Sequence, residues 1–540
     1  MRLYDLPNEI IAAILADTSV GDIVSSLKTC KRFRDIVSAS SQLQLVLELA
    51  VEGLRLRRYP SRITPCGLGT KSASELLLQL KRWKEGWLVQ KPLRSALRSA
   101  KTGHLDDESF WMGDGLYARC VEEGGNKPFL TFFGIEIYSM WIEEGQQELR
   151  LWRKFSDLVF PVGEFSINLA KNLLIITEAF DDAEYNFEEW VWVHLLSLEN
   201  GEAHPAAANG VLGGFSLPTW SVCDIKSSGE IVAILFRNPE ESGTLYIWNW
   251  QTGSLLEKFQ HVYGYAHLSA KSFMIITSKS LGQPTISLQL VTMHQDPIVL
   301  ELPNISKHSM IDVLSDGPPT DSPNIPADVP LSPFVRDDTA ERVIVVQNAS
   351  EDLYSFIMVR SLLRILANGV QSESSRRRVR YSWREWSPGA VYCIKSTEII
   401  RPATTSVCGA RVGLLCRRPY LFSLLDVDTQ DEHQEDYMNE DMDSDYEDEE
   451  NEEESDGEYA AAFGLLDFNP RPVIRSLSQP STALGDNSKH SKATAKQFNQ
   501  RNIVPGGPPA TLRFMGGVPK GRYRDILVDM DHMIVYKVKF

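Results

Sequence analysis

The chain has 540 residues, of which 43% are hydrophobic, so it carries enough apolar sequence to bury a large core or several smaller ones. Its formal net charge is −17, but seventeen of the 72 acidic residues lie between Asp431 and Glu458, and the remaining 55 equal the 55 Lys and Arg. This balance argues against a generally basic nucleic-acid-binding protein, and the lack of long apolar runs argues against membrane-spanning helices.

The cysteines and the first residues point to the compartment. Asp5 and Glu9 interrupt the charged-then-apolar order of a secretory signal. The seven cysteines are scattered, with no CxxC pair, which predicts a reducing compartment and argues against a zinc module. We therefore expect a protein of the cytoplasm, the nucleus or both. The cysteines are Cys30, Cys66, Cys120, Cys223, Cys393, Cys408 and Cys416.

The first forty residues predict three short helices. Leu6 and Pro7 open the first one, because proline is tolerated in a first helical turn, and an apolar stripe follows. Ser19 with Asp22 predicts a capped start for the second helix, and Lys31 begins the third. The stripe of the first helix comprises Ile10, Ile11, Ile14 and Leu15, and that of the second comprises Ile23, Val24, Leu27 and Cys30.

This segment resembles the F-box motif in its Leu6-Pro7-x-Glu9-Ile10 start and in Cys30-Lys31-Arg32-Phe33 near its end. The resemblance implies that the helices dock on a Skp-type adaptor, and through it on a cullin, in a ubiquitin ligase. Phe33 stands where many F-boxes have Trp. The adaptor-binding residues that the resemblance implies are Leu6, Pro7, Ile10, Ile14, Leu15, Ile23, Leu27, Cys30 and Phe33. The alternative from the residues alone is an N-terminal helical cap on the downstream domain.

A helical connector is predicted to follow, within residues 41–104. Residues 42–53 read as one helix, and Ser74 is expected to cap a second one over residues 72–87. The second helix has an apolar face formed by Leu76, Leu80, Trp83 and Trp87. We expect either a stiff link between the F-box and the rest of the chain or ordinary core packing, and the two are compatible.

From about residue 105 short apolar or alternating runs with turn residues between them predict strands of an antiparallel all-β domain. Two units, residues 194–201 and 245–253, repeat a strand that ends in a polar, Gly-containing turn. This favours an irregular β-propeller, with a β-sandwich pair as the alternative. The predicted strands include 132–140, 173–177, 190–198, 231–236, 244–250, 273–277, 286–291, 342–346, 461–468, 511–514, 526–530 and 533–538.

The sequence therefore predicts an α+β multidomain protein in five parts. Residues 1–40 are the F-box, 41–104 the helical connector and 105–430 the propeller-like domain. Residues 431–460 are an acidic insertion that is expected to be disordered, because its charges repel and it lacks apolar content. Residues 461–540 are closing strands with a flexible stretch around 478–508. The chain as a whole resembles fungal F-box proteins with a large propeller-like C-terminal half.

Two further motifs invite interpretation. In the acidic tract, Ser444 and Ser455 precede acidic residues and are candidate phosphorylation sites for acidophilic kinases, where added charge would recruit a basic partner. Residues 376–380, followed by Tyr381, Trp383 and Trp386, are the best nucleic-acid candidate. Four arginines are a small basic footprint, however, and we expect a charged surface strand or loop there.

No motif of catalysis is present. The sequence lacks Gly-x-Ser-x-Gly, His-Glu-x-x-His, a phosphate-binding loop and Gly-x-Gly-x-x-Gly, so we predict no enzyme, no catalytic residues, no metal site and no cofactor. Two functions remain. The first is a substrate receptor that brings an unknown protein client to a Skp–cullin–RING ubiquitin ligase, leading to ubiquitin-dependent degradation. The second is a scaffold that binds the adaptor or another partner without feeding ubiquitylation.

Overall fold

The computed structural model describes rather more than half of the chain. These residues are 5–57, 71–89, 110–122, 132–140, 150–156, 158–179, 188–218, 222–237, 242–278, 286–293, 295–302, 311–315, 329, 331–336, 341–348, 353–370, 380–395, 407–408, 411–417, 461–467, 496–497, 511–514, 523–528 and 533–537. The acidic tract with Ser444 and Ser455 and the arginines at 376–378 lie outside them.

Helices dominate the first part of the chain, and mainly antiparallel sheets follow. The helices are α1 Asn8–Ala16, α2 Val20–Thr29, α3 Lys31–Ala39, α4 Ser41–Glu52, α5 Ala73–Val89, α6 Val359–Val370 and α7 Trp383–Trp386, with a 3-10 turn at Leu169–Lys171. The three predicted F-box helices and the two connector helices are confirmed. The second connector helix is capped differently from the prediction: the Ser72 hydroxyl accepts from the backbone N–H of Glu75, and the Glu75 carboxylate accepts from the backbone N–H of Ser72, so Ser72 takes the role predicted for Ser74.

The β part consists largely of four-stranded antiparallel sheets that follow one another along the chain. The first sheet contains β2 Phe110–Gly113, β3 Leu116–Glu122, β4 Phe132–Ser139 and β5 Arg150–Phe155. The second contains β6 Val162–Asn168, β7 Leu173–Ala179, β8 Glu188–Ser197 and β9 Val211–Pro218. In these two sheets every strand pairs with its neighbour in sequence, which is why local periodicity could predict these strands.

The third sheet has eight strands because one long strand belongs to two groups. It contains β10 Val222–Ser228, β11 Ile231–Arg237, β12 Gly243–Asn249, β13 Ser254–Ser269, β14 Ser272–Ser278, β15 Ile286–Thr292, β16 Ile298–Glu301 and the parallel strand β21 Arg380–Tyr381. The first half of β13 pairs with β12, and its second half pairs with β14. The change of partner occurs at His261, which is skipped in the pairing and has a φ of 58°.

Three further sheets complete the β part. They contain β17 Ile311–Leu314, β19 Val343–Asn348, β20 Leu353–Met358 and β22 Val391–Lys395; then β23 Val407–Cys408, β24 Arg411–Arg417, β25 Ala461–Asp467, β26 Lys496–Gln497 and β27 Thr511–Phe514; then β28 Tyr523–Val528 and β29 Met533–Lys537. Strands therefore resume after the acidic tract, as predicted. The short strand β26 lies within residues 478–508, the stretch that was expected to be flexible.

The hydrophobic cores lie between successive sheets. One is shared by the first and second sheets, the next by the second sheet and β10–β12, and the third by the two halves of the eight-stranded sheet. A fourth joins β13–β16 to the sheet of β17, β19, β20 and β22. In addition, β6 contacts both β2 and β10, and β13 contacts both β10 and β17. The sheets thus pack face against face in chain order, with their first strands adjacent.

Two helices lie within the region that was predicted to be all-β. The amphipathic helix α6 follows β20 and buries Leu362 and Leu366 in the fourth core. The short helix α7 begins with a capping box at Ser382 and buries Trp386, whose indole N–H donates a 2.8 Å hydrogen bond to the carbonyl oxygen of Glu301. Helix α7 contacts β16 and α6 contacts β13, so the prediction of an all-β body was wrong for Val359–Val370 and Trp383–Trp386.

A two-stranded sheet joins the helical part to the β part. Strand β1 Leu54–Leu56 follows α4, which ends at Gly53 in the left-handed conformation, and β1 pairs with β18 Phe334–Arg336. Phe334 is completely buried with residues of α4 and α5, whereas Leu331 packs between the first and second sheets. Residues 331–336 therefore tie the helical part to the β part. The residues packed with Phe334 are Leu45, Leu49, Leu54, Leu77 and Leu80.

Candidate docking site on the N-terminal helices

The first four helices share one small core. Because α1, α2 and α3 are each only nine or ten residues long, each depends on its neighbours to bury its apolar stripe. Helix α4 closes the group by adding Leu43, while its other face packs towards α5. The buried residues of this core are Ile11, Leu15, Ile23, Phe33, Ile36, Val37 and Leu43.

Three large apolar side chains of the same helices remain exposed. Ile10 is 48% exposed and Ile14 is 42% exposed, and the two lie one helical turn apart on α1. Val24 on α2 is 38% exposed. Pro7 is also exposed at the start of α1. An exposed apolar ridge of this kind on a small helical domain is typical of a protein-docking surface.

The residues predicted to bind the adaptor fall into three groups. Pro7, Ile10 and Ile14 are exposed, and Leu6, Leu27 and Cys30 are partly buried and pack against the small core. Leu15, Ile23 and Phe33 are buried within it. The sequence pattern places six of the nine, Ile10, Ile14, Leu15, Ile23, Leu27 and Cys30, on apolar stripes, but it does not distinguish the inward side of a stripe from its outward side.

The connection between α1 and α2 has the local structure that the sequence predicts. The Ser19 hydroxyl accepts a 3.2 Å hydrogen bond from the backbone N–H of Asp22 and donates a 2.6 Å bond to the Asp22 carboxylate. Both groups lie at the positive end of the α2 dipole, where a carboxylate is stabilised. The predicted capping of α2 is confirmed.

The sequence analysis missed one residue of this site. Arg32 on α3 donates from Nη2 to the carbonyl oxygen of Leu6 at 2.7 Å, and to Oδ1 of Asn8 at 2.9 Å. Its Nε also donates to Oδ1 of Asn8, at 3.2 Å. A polar residue on an amphipathic helix usually faces solvent, so the sequence carried no signal for this contact.

The described part of the basic and aromatic motif is used in packing. Arg380 forms a 2.7 Å ion pair with Glu301, and the ring of Trp383 lies edge-on to that of Trp386 at 5.0 Å. Since Trp386 is buried, its ring is not available to stack on a base. This region therefore closes the core beside β16.

Within the described residues, His, Cys, Asp and Glu do not form a group of three or more that could hold a metal ion. Cys30, Cys120, Cys223 and Cys393 are reduced thiols, and burial raises the pKa of the Cys223 thiol well above its ordinary value. No helix in these parts of the chain is both long and apolar enough to cross a membrane.

Residues 3–43 match the F-box domain. This match coincides with the small core of α1–α4 and with the exposed ridge of Ile10 and Ile14. F-box domains typically bind Skp-type adaptors, and this match suggests an adaptor-type role in a ubiquitin ligase for the N-terminal helices.

Solved structures match part of the chain at low sequence identity. No curated protein matches it. Uncharacterized protein lmo1340 of Listeria monocytogenes is 10% identical with a TM-score of 0.25, covering 46% of this chain and 63% of its own. The N-terminal domain of Nup159 is 12% identical with a TM-score of 0.21, covering 46% of this chain and 59% of its own. The chain thus spans less than two thirds of either structure, and these similarities carry no argument about its fold.

Proposed function

We propose that this protein is a non-enzymatic F-box substrate receptor of a Skp–cullin–RING ubiquitin ligase. The observation that carries the proposal is the F-box match at residues 3–43 together with the exposed apolar side chains of Ile10 and Ile14 on that same domain. Adaptor binding would cover this apolar surface, and burying it is the main favourable contribution to such an interface.

Within the proposed adaptor interface the nine residues have two roles. Pro7, Ile10 and Ile14 form the contact directly, together with the partly buried Leu6, Leu27 and Cys30. The buried residues Leu15, Ile23 and Phe33 hold α1, α2 and α3 in place beneath that contact. We add Val24 to the direct contacts, because it is exposed on α2.

We propose that the β part is an irregular β-propeller that presents the client-binding surface. Support comes from the succession of four-stranded meanders, from the cores between successive sheets and from the adjacency of the strands β2, β6, β10, β13 and β17. The two repeated units also occupy equivalent places, since β8 and β12 are each the third strand of a meander. The proposed domain limits remain 1–40, 41–104, 105–430, 431–460 and 461–540.

The mechanism that this arrangement supports is proximity. A client held by the β part would lie at a set distance from the adaptor, because β1 pairs with β18 and Phe334 packs against α4 and α5. Holding two reactants together raises their effective concentration, so the client's lysines meet the charged conjugating enzyme more often. No covalent step on this chain is required.

The test uses a purified Skp-type adaptor and the full-length protein. Replacing Leu6 and Pro7 together by alanine is expected to abolish adaptor binding while the β part stays folded. Adaptor binding equal to that of the wild type would refute the proposal. Recovery of a cullin, together with a client that accumulates when the gene is deleted, would favour the receptor over the scaffold. Recovery of the adaptor without a cullin would favour the scaffold.

A further inference from the structure

Arg32 connects α3 to the residues that precede α1. Its guanidinium group donates to the Leu6 carbonyl oxygen at 2.7 Å and twice to Asn8 Oδ1, at 2.9 and 3.2 Å. The three bonds span 24 to 26 residues of sequence, so they are tertiary contacts and not part of a helix. Arg32 therefore links α3 to the start of α1 by hydrogen bonds, in addition to the apolar packing of the two helices.

The start of α1 needs such a link. Pro7 occupies the N-cap position, where its side chain forms no capping hydrogen bond. The Pro7 carbonyl accepts from the N–H of Ile11 at 3.1 Å, which leaves Leu6 as the first residue before the helical hydrogen bonds begin. Arg32 holds Leu6 through the carbonyl oxygen of that residue. It also holds the side chain of Asn8, the first residue of α1.

We propose that Arg32 is the positioning residue that holds Leu6 and Pro7 in the conformation that the adaptor binds. This inference rests on the proposed function, because it assigns Arg32 a role in adaptor docking. A segment ordered before binding loses less conformational entropy when the complex forms, so pre-ordering increases affinity without adding a contact. Arg suits the role because its rigid fork of donors can reach the carbonyl and the amide oxygen at once.

The proposal predicts a specific pattern of adaptor affinities. Arg32→Gln in the full-length protein should weaken binding to a purified Skp-type adaptor roughly tenfold or more, since it removes charge-assisted hydrogen bonds at the binding segment. Arg32→Lys should restore little of the loss, because a single ammonium group does not reproduce the fork. Arg34→Gln is the matched control, because Arg34 is exposed on the same helix and carries the same charge.

Asn8 provides the second arm of the test. Asn8→Ala removes two of the three bonds and should weaken adaptor binding by a smaller factor than Arg32→Gln. Asn8→Asp should keep wild-type binding or improve it, since a carboxylate can accept from Arg32 and is favoured near the helix N-terminus. In the Arg32→Gln background, Asn8→Ala should have no further effect. Such non-additive effects of Arg32→Gln and Asn8→Ala on adaptor affinity would not arise from a general loss of stability.

Two readouts separate positioning from folding. Circular dichroism and thermal unfolding should be the same for Arg32→Gln and Arg34→Gln, while amide exchange at Ile11 should be faster only in Arg32→Gln. If the wild type binds the adaptor and Arg32→Gln binds equally well, the inference is wrong and the proposed function stands. If neither the wild type nor Arg34→Gln binds the adaptor, the proposed function fails and the inference fails with it.

Discussion

The backbone N–H of Arg57 donates a 2.8 Å hydrogen bond to the carbonyl oxygen of Pro333. The Arg57 side chain strengthens the same junction, with Nε donating to the carbonyl oxygen of Ser332 at 3.2 Å. These bonds continue the pairing of β1 with β18, so the chain that leaves α4 is anchored on a segment that belongs to the β part. The junction couples the N-terminal helices to the β part.

Phe334→Ala should uncouple the helical part from the β part. Phe334 is fully buried among leucines of α4, β1 and α5, and truncating a buried Phe typically costs about 3–5 kcal/mol. We expect faster amide exchange in β1 and α5 and a larger radius of gyration in small-angle scattering, with adaptor binding retained. Phe273→Ala is the matched control, because Phe273 is equally buried but lies in β14. An equal effect on α5 in both variants would contradict the prediction.

Local patterns in the sequence predict local structure well in this protein. The helices α1–α5 follow from apolar stripes and caps, and strands such as β7, β11 and β14 follow from runs of residues that are buried on both sides. Helix α6 was missed although Leu362, Ile365 and Leu366 stand at helical spacing, because the surrounding strands favoured a continued β pattern.

The contacts between distant residues could not be predicted in the same way. The pairing of Leu54 with Arg336 and the hydrogen bond from Arg32 to Leu6 depend on tertiary packing, and a single sequence carries no signal for either. The same limit applies to the docking site. The apolar stripe identifies Ile14 and Leu15 equally, and only packing shows that Ile14 faces outward while Leu15 is buried.

His267 should make the fold sensitive to acid. It is fully buried on β13 beside Tyr265 and Phe273, and burial, with the nearby charges of Lys226 and Arg342, lowers its pKa from 6.5 to about 3. The unfolded chain takes up a proton below pH 6.5, whereas the folded protein does so only near pH 3. The free energy of unfolding is therefore unaffected by His267 titration above pH 6.5. It falls as the pH drops from 6.5 towards 3, by up to about 1.4 kcal/mol per pH unit.

The measurement is urea unfolding of the wild type and His267→Gln at several pH values between 7.5 and 4.5. Carboxylates titrate in both proteins, so the difference between the two profiles isolates His267. We expect the free energy of unfolding of the wild type to fall steadily below pH 6.5 relative to that of His267→Gln. Parallel profiles across this range would show that His267 does not carry the acid sensitivity.

The corner of β13 should respond in opposite ways to two substitutions. His261 has a φ of 58°, a conformation that costs an L-residue about 1–2 kcal/mol and glycine almost nothing. His261→Gly should therefore raise the midpoint of thermal unfolding, while His261→Ala, which keeps the strain, should not. Gly243 marks the other side of the same register shift, and a Cβ there would clash with the Phe236 carbonyl oxygen. Gly243→Ala should lower the midpoint, and an unchanged midpoint would refute the close approach.

Exposed and buried residues of the docking helices should separate binding from stability. Replacing Ile10 and Ile14 by serine removes apolar surface that faces solvent, so the free energy of unfolding should change by less than about 0.5–1 kcal/mol. Adaptor affinity should fall at least tenfold, because buried apolar anchors dominate such interfaces. Ile23→Ala opens a cavity in the core of α1–α4 and should cost about 2–5 kcal/mol. Isothermal titration with the adaptor and denaturant unfolding report the two properties separately. If the exposed pair lowers stability as much as Ile23→Ala while leaving adaptor affinity intact, this surface is not the docking site.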